Sequence, residues 1–495
     1  MIESQLPILL IVLPMLTSPL LVVIGNRHVA TVIAIMVSWA VFGIAVGLAI
    51  QVHQTGTVRY EIGGWEPPYG IEYVVDRLSS FVMLIVTALG AITLTYAPLS
   101  VESEIVPSKQ TLFYATYLLC LTGLLGICIT GDLFNVFVFL EISSLSSYAL
   151  ISLGKNRRAP LAALQYLIIG TIGATFMLIG IGLVYQLTGT LNMADIASRL
   201  PTDHGPRTVL VAFAFLVTGL GIKMAVFPLH TWLPSAYAEA PTVVTAFIAA
   251  TATKVSVYAF LRVVFDIFGT KFAFDGLNLQ ASLVTLSLIG IFCASAAAVF
   301  QTDVKRLLAF SSVAQIGYML LGVSLVSHGG LTAGIVHMFN HAMIKGGLFL
   351  IVGCMVYRVG SSKLDDWRGL GRSMPWAATG FAIGGLGLIG VPVTAGFVSK
   401  WLLLTSSLEG GRTITAALLL LSSLLAVVYV WRVVETLFFS ERDESLPALK
   451  EPPLAMLVPS YIVLLATIVF GVWTTIPVGL AGEAADLLLS TGVTP

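Results

Sequence analysis

The sequence predicts an all-α, polytopic membrane protein of about fourteen spanning helices, and three observations carry the prediction. The 495-residue chain is 57% hydrophobic and 10% charged, with a mean hydropathy of +0.97, whereas a soluble domain carries about a quarter charged residues. Apolar stretches of about 20 residues, the length that spans a bilayer, recur along the whole chain. Inside several of those stretches lie glutamate, lysine and histidine, which lipid disfavours by about 2.5–3.5 kcal/mol for each charge at a helix centre.

The stretches fall at approximately 5–24, 30–51, 76–97, 111–130, 132–153, 161–187, 208–228, 243–267, 281–301, 304–326, 331–357, 376–403, 413–438 and 455–480. The first follows Met1-Ile2-Glu3, which has no positive n-region, so it reads as a helix and not as a cleaved signal. Spans four and five are separated by little more than Gly131-Asp132, a tight hairpin. An even count puts both termini on one side. Loops after odd-numbered spans hold Arg27, Lys109, Lys155, Arg157, Arg158 and further cations from Arg358 to Lys450, with Lys305 and Arg306 beside them. Loops after even-numbered spans hold Arg59, Arg77, Arg199, Arg207, Lys271 and Arg412. The richer set belongs in the cytoplasm, which places both termini outside.

Composition also excludes. Lys+Arg and Asp+Glu are 25 each, so no electrostatic footprint for nucleic acid exists. Cys120, Cys128, Cys293 and Cys354 lie in apolar runs without metal-ligand spacing and read as packing residues. No haem or iron–sulfur ligand set is visible. His337 and His341 share a helical face, but Met338 stands where the metalloprotease motif has glutamate, so no metal centre is expected. The expectation is a membrane protein without cofactor, and not an enzyme.

Three aromatic landmarks return at nearly one interval, from Tyr148 to Tyr318, from Tyr185 to Tyr357 and from Trp232 to Trp401. The shift corresponds to five spans, an odd number, so the two copies have opposite topology. The prediction is two inverted five-helix repeats, spans 4–8 and 9–13. Each contains a broken helix: span seven with Pro228 and Pro234, span twelve with Pro392 in a Gly-rich run. The corresponding segments are 1–100, an N-terminal three-helix segment, 101–270, the first repeat, 271–445, the second, and 446–495, a C-terminal helix and tail.

The buried ionisable residues gather around those breaks. Glu141 is mid-span in Phe137-Val138-Phe139-Leu140-Glu141, Lys223 precedes Pro228, and Lys254 lies in span eight. His337, His341 and Lys345 recur every four residues on one face of span eleven. Lys400 follows Pro392 at a depth that hydropathy leaves open. Low dielectric disfavours the charged form of lysine and carboxylate alike, and imidazole titrates near neutrality. Joined by water, the set can pass protons. Glu141, Lys223, Lys254, His337 and Lys400 are the expected translocation residues, with His230, Lys305, His341 and Lys345 as possible relays or gates. Lys305 is expected near the membrane face, and Arg262 is read as snorkelling or pairing with Asp266. His341 and Lys345 are equally explained as hydrogen-bonding groups within the bundle.

These motifs resemble those of the antiporter-like subunits shared by Mrp-type cation/proton antiporters, respiratory complex I and membrane-bound hydrogenases. The resemblance is carried by the Phe-rich run ending in Glu141, by Gly221-Ile222-Lys223 leading into Pro228-Leu229-His230-Thr231-Trp232-Leu233-Pro234, and by Glu239-Ala240-Pro241 with Lys254. Lys305-Arg306-Leu307-Leu308-Ala309-Phe310-Ser311-Ser312 and His337-Met338-Phe339-Asn340-His341 complete it. It implies an ion pair Glu141–Lys223, a central relay at Lys254, a linking histidine at His337 and a terminal residue at Lys400. Lys400, where some members carry glutamate, and the chain length make the sequence most similar to the D-type subunits of the Mrp-type antiporters. The implied function is proton/cation translocation in a multi-subunit Na+(K+)/H+ antiporter, with other membrane subunits as partners, in a bacterial or archaeal cell (inner) membrane. Two alternatives stay open: a proton-pumping subunit in a redox-driven membrane arm, and a non-translocating scaffold subunit.

Overall fold

Hydrocarbon offers backbone amides no partners, so each apolar stretch closes its own hydrogen bonds as a helix. A computed structural model describes residues 3–200, 207–442 and 449–491. The first elements are α1 (Leu6–Ile24), α2 (Arg27–Thr55), the strands β1 (Val58–Glu61) and β2 (Glu72–Val75), and α3 (Arg77–Glu104). Next come α4 (Gln110–Ile129), α5 (Leu133–Ser152), α6 (Ala159–Thr188), α7 (Met193–Arg199), α8 (Arg207–Lys223), α9 (Trp232–Glu239) and α10 (Thr242–Leu261), which continues as a π-helix over Arg262–Ile267. The second half holds α11 (Leu279–Val299), α12 (Val304–Ser324), α13 (His328–Val359), α14 (Leu370–Ser373), α15 (Pro375–Ile389) and α16 (Ala395–Glu409). It closes with α17 (Thr413–Phe438), α18 (Leu454–Val472) and α19 (Thr475–Thr491).

Among the described residues, twelve helical segments are long and apolar enough to cross a membrane. Spans seven and twelve are each built from two shorter helices, α8 with α9 and α15 with α16. Helices α3, α4, α10, α12 and α13 are buried on almost all sides, whereas α1, α2, α6, α11, α17 and α18 bury one face. The structure also departs from the expected elements. The antiparallel β1–β2 ribbon pairs Val58 with Val75, too short a run to stand out by alternation. The expected span 455–480 ends at Val472, and a separate helix, α19, packs on α3 and α13. Its acids explain the exclusion from the span: Glu483 pairs with Arg77 at 3.5 Å and Asp486 with His328 at 3.4 Å. The expected boundary near residue 445, Met1-Ile2 and the last four residues lie outside the described residues.

The inverted repeat is visible in backbone hydrogen bonds. Asp132 caps α5 and bridges to Asn192, while Asp303 caps α12 and bridges to Lys363. One displacement along the chain carries both partners of the first bridge onto the second (303 − 132 = 363 − 192). Leu133 N donates to Leu191 O just as Val304 N donates to Ser362 O. Met193 N donates to Gly131 O just as Leu364 N donates to Thr302 O. The two bridges sit at opposite ends of α3. The first adjoins Glu72, whose carbonyl accepts from Gly131 N just before α3 begins. The second lines one cavity with Glu104, the last residue of α3. Since 28 helical residues rise about 42 Å, the copies point in opposite directions across the membrane. The aromatic landmarks miss this register slightly because they do different jobs. Trp232 is buried and stacked on Tyr166 with centroids 3.7 Å apart, whereas Trp401 is 52% exposed on the outer surface of the helix bundle.

Both breaks pass through left-handed backbone, at Ala225 (φ 59°) and Val393 (φ 78°), costly for any residue with a Cβ and most of all for β-branched valine. Pro228 and Pro392 lie within the breaks, while Pro234 sits in the first turn of α9, where a missing donor costs nothing. Gly396 lets α16 fold back on α15, since a Cβ there would collide with the Gly387 carbonyl oxygen. Gly396→Ala is expected to force the two half-helices apart. It should lower the unfolding temperature of the purified complex, by overpacking worth about 1–3 kcal/mol or more. An unchanged melting curve would show that the break has room to spare.

Candidate functional site

The functional side chains stand where helix interruption leaves backbone groups unpaired. At the end of α8 the Ile222 carbonyl accepts from the Trp232 indole N–H at 3.0 Å. One residue later, Lys223 is 4% exposed and its Nζ donates to Glu141 Oε1 at 3.0 Å and to Ser144 Oγ at 2.9 Å. Glu141 and Ser144 are one turn apart on α5, so a single helix face receives the ammonium. The Glu141 side chain is 24% exposed, and the pair therefore has one open flank. On its other flank lies a cavity of about 20 Å³, lined by Ser143, Ser144, Ser147, Tyr166, Lys223 and Ser256. That is room for about one water among polar partners, between Lys223 and α10.

Lys254, on α10, is fully buried, and its Nζ donates to the Ala249 carbonyl and to Thr253 Oγ1. No carboxylate among the described residues pairs with it. His341 lies within electrostatic reach of Lys254, Lys345 and His337. Both ring nitrogens of His341 are buried without a protein partner among the described residues, unusual for buried polar groups. One turn away, His337 stacks parallel to it with centroids 6.4 Å apart. His337 Nδ1 is 2.9 Å from Ser399 Oγ and Nε2 is 2.9 Å from Gln315 Oε1, which links α13 to both α12 and α16. Lys345 donates to the Leu308 carbonyl and to Ser311 Oγ.

Lys400 lies at the second break. Its Nζ donates to Ile389 O at 2.7 Å and Leu388 O at 3.3 Å, two carbonyls that the end of α15 leaves free. It also reaches Ser423 Oγ at 3.5 Å and sits 5.0 Å above the Tyr318 ring. The ammonium thus takes the part at this break that the Trp232 indole takes at the first. A cavity of about 230 Å³ opens beside it between α16 and α17.

Two expected gates stand apart from this row. Lys305, in the first turn of α12, is 4% exposed, its Nζ donating to the Ala240 carbonyl at 2.5 Å. It lines a cavity of about 860 Å³ with Glu104, Lys155, Glu239, Asp303 and Lys363. The cavity is reached because Asp303 starts α12 at this end and turns Lys305 inward. His230 lies in the first break, stacked on Phe227 at 5.2 Å and facing Phe310 of α12. Its Nδ1 has no protein partner among the described residues, and it is not bonded to the other expected residues. Arg262 does not snorkel: it pairs with Asp266 as expected and also with Asp76. Ser144, Gln315, Ser399 and Thr253 were not singled out by sequence, although polar residues in apolar spans are a signal in themselves.

The family model described as NADH:quinone oxidoreductase/Mrp antiporter, transmembrane, matches residues 130–426. The N subunit of an NADH-quinone oxidoreductase of Desulforudis audaxviator is 40% identical over 490 residues, covering 95% of this chain and 96% of the relative. The D subunit of a Na(+)/H(+) antiporter of Alkalihalophilus pseudofirmus is 30% identical, covering 89% and 88% respectively. A chain in the structure of the Mrp complex from a Dietzia species superposes with a TM-score of 0.90 at 27% identity, covering 99% of this chain and 98% of that one.

Proposed function

The chain belongs to the NADH:quinone oxidoreductase/Mrp antiporter family, and from that premise we propose that it is a proton/cation-translocating subunit of an Mrp-type Na+(K+)/H+ antiporter. The complex would be multi-subunit and would lie in a bacterial or archaeal cell membrane. The observation that carries the reading is the sequence of buried ionisable groups across two oppositely directed broken helices: Glu141 with Lys223, then Lys254, His337 and Lys400. A row of this kind is costly in hydrocarbon, and packing alone would not retain it.

In this reading Glu141 holds Lys223 charged. A cation reaching the open flank of Glu141 competes for the carboxylate, loosens the ammonium and favours release of its proton. The proton moves by water toward Lys254, and His341 and His337 connect Lys254 to Ser399 and the second break. Lys400 exchanges it through the cavity between α16 and α17. Lys305, with Glu104 and Glu239, lines the opening at the end of α10 that the loop charges assign to the cytoplasm. Both chain termini then lie outside. The segments 101–270 and 271–445 are the two functional halves, each supplying one break.

A second reading has support from the 40% identity to a relative named as an oxidoreductase subunit: the same path serves a redox-driven membrane arm. The deciding experiment is the composition and activity of the intact complex purified through this chain. The antiporter reading expects Na+- or K+-dependent proton movement in vesicles with no redox-active subunit present. A co-purifying redox subunit, with proton movement only during electron transfer, would replace it with the second. Assembly without transport in either assay would leave a scaffold.

A further inference from the structure

Lys254 has water-accessible space beyond both ends of its helix, and a proton relay must choose between them. One end, Thr242, is capped by the Glu104 carboxylate at 2.8 Å beside the large cavity. Toward the other end Lys254, Tyr258, Arg262 and Asp266 follow at intervals of four residues, on one face of α10 and its π-helical extension. Arg262 stands two such intervals from Lys254, about 12 Å along the axis. At this end opens a second cavity of about 490 Å³, lined by Glu72, Asp76, Thr130, Tyr258, Arg262 and Asp266.

We propose that the Asp76–Arg262–Asp266 cluster is a hydrogen-bonded seal that keeps protons on Lys254 from leaving through this end of the first repeat and so directs them to the second. Arg262 Nη2 lies 2.6 Å from both Asp76 carboxylate oxygens, Nη1 donates to Asp266 at 2.7 Å, and Nε donates to the Tyr258 hydroxyl at 3.0 Å. That hydroxyl donates in turn to the Cys128 carbonyl at 2.7 Å. The donors that could carry a proton outward are thus committed to fixed acceptors. Arginine cannot itself relay, because it does not deprotonate in proteins.

Asp76 stands just before α3, at its N-cap. Burial alone would raise its carboxyl, but Arg262 and the Ser79 hydrogen bonds hold it below the usual carboxylate range. Its contribution is therefore present above the ordinary carboxylate pKa and is lost only as pH falls through that lowered value.

The second repeat seals differently. Helices α10 and α17 begin at Thr242 and Thr413, the same displacement as between the two bridges (413 − 242 = 303 − 132). Tyr429 is therefore the counterpart of Tyr258, Val433 of Arg262 and Leu437 of Asp266. Val433 and Leu437 are fully buried, an apolar plug. The first repeat places charge where the second has hydrocarbon, as expected if only the first must hold back ions from an open cavity.

The seal rests on the proposed relay through Lys254, and one experiment separates the two. The intact complex carrying Arg262→Gln is reconstituted in proteoliposomes, and passive proton entry is followed with a pH-sensitive dye and no cation gradient. Entry should rise at least about tenfold over the parent and return to the parent rate in the Arg262→Gln/Lys254→Ala double variant. Should Arg262→Gln fail to assemble, Asp266→Asn keeps the Asp76 pair and should leak to a smaller extent. A tight Arg262→Gln or Asp266→Asn complex overturns the seal, as does a leak that survives in the double variant. Exchange that persists in Lys254→Ala alone instead overturns the relay.

Discussion

Replacing Lys254 by alanine should leave an assembled complex that no longer exchanges protons for cations. The fold survives because, among the described residues, Lys254 is bonded only to neutral groups of its own helix, the Ala249 carbonyl and Thr253 Oγ1. Truncation therefore orphans no buried counter-charge, which is what makes the breaking of a buried ion pair so destructive. Function does not survive, because the remaining groups do not bridge the gap: Lys223 reaches only Glu141 and Ser144, and the contacts of His337 lead to the second break. The loss should be about 100-fold or more, the scale of a positioned proton-transfer group. Dye-reported exchange in vesicles, normalised to complex quantified on a native gel, measures it. Exchange at the parent rate in assembled complex would remove Lys254 from the path.

What could be read before the structure, and what could not, divides along physical lines. Glu141 and Lys223 are 82 residues apart, yet their pairing was foreseeable because a charge in hydrocarbon must find its opposite. The breaks were foreseeable from proline and glycine. The Arg262–Asp76 pair spans 186 residues, and the nearer Asp266 offered a sufficient local partner, so the long-range one stayed hidden. The acceptors of Lys400 are backbone carbonyls, invisible in a side-chain alphabet. The repeat was legible but its register was not. Aromatic landmarks follow local surroundings, core for Trp232 and outer surface for Trp401, whereas the constant displacement lies in main-chain bridges. Helix α19 was merged with span fourteen because the turn at Trp473-Thr474 is short and the apolar run continues across it, although Pro477 in the first turn of α19 marks a helix start.

Lys400 allows charge, hydrogen bonding and titration to be separated. Its ammonium satisfies the Leu388 and Ile389 carbonyls at the break, so Lys400→Ala would confuse a structural loss with a functional one. Lys400→Gln keeps an N–H donor, on a side chain one bond shorter, and removes the exchangeable proton. Lys400→Arg keeps the charge and more than enough donors but locks the proton in place. The cavity of about 230 Å³ beside Lys400 gives the larger guanidinium space. If Lys400 is the terminal exchanger, both variants should assemble with near-parent thermal stability and both should lose exchange by about 100-fold or more. If it only props the break, both should transport, since each keeps a donor for the carbonyls that α15 leaves open. Activity in Lys400→Arg with loss in Lys400→Gln would instead mean that a fixed positive charge is what the second break requires, and the proton would have to leave by another group.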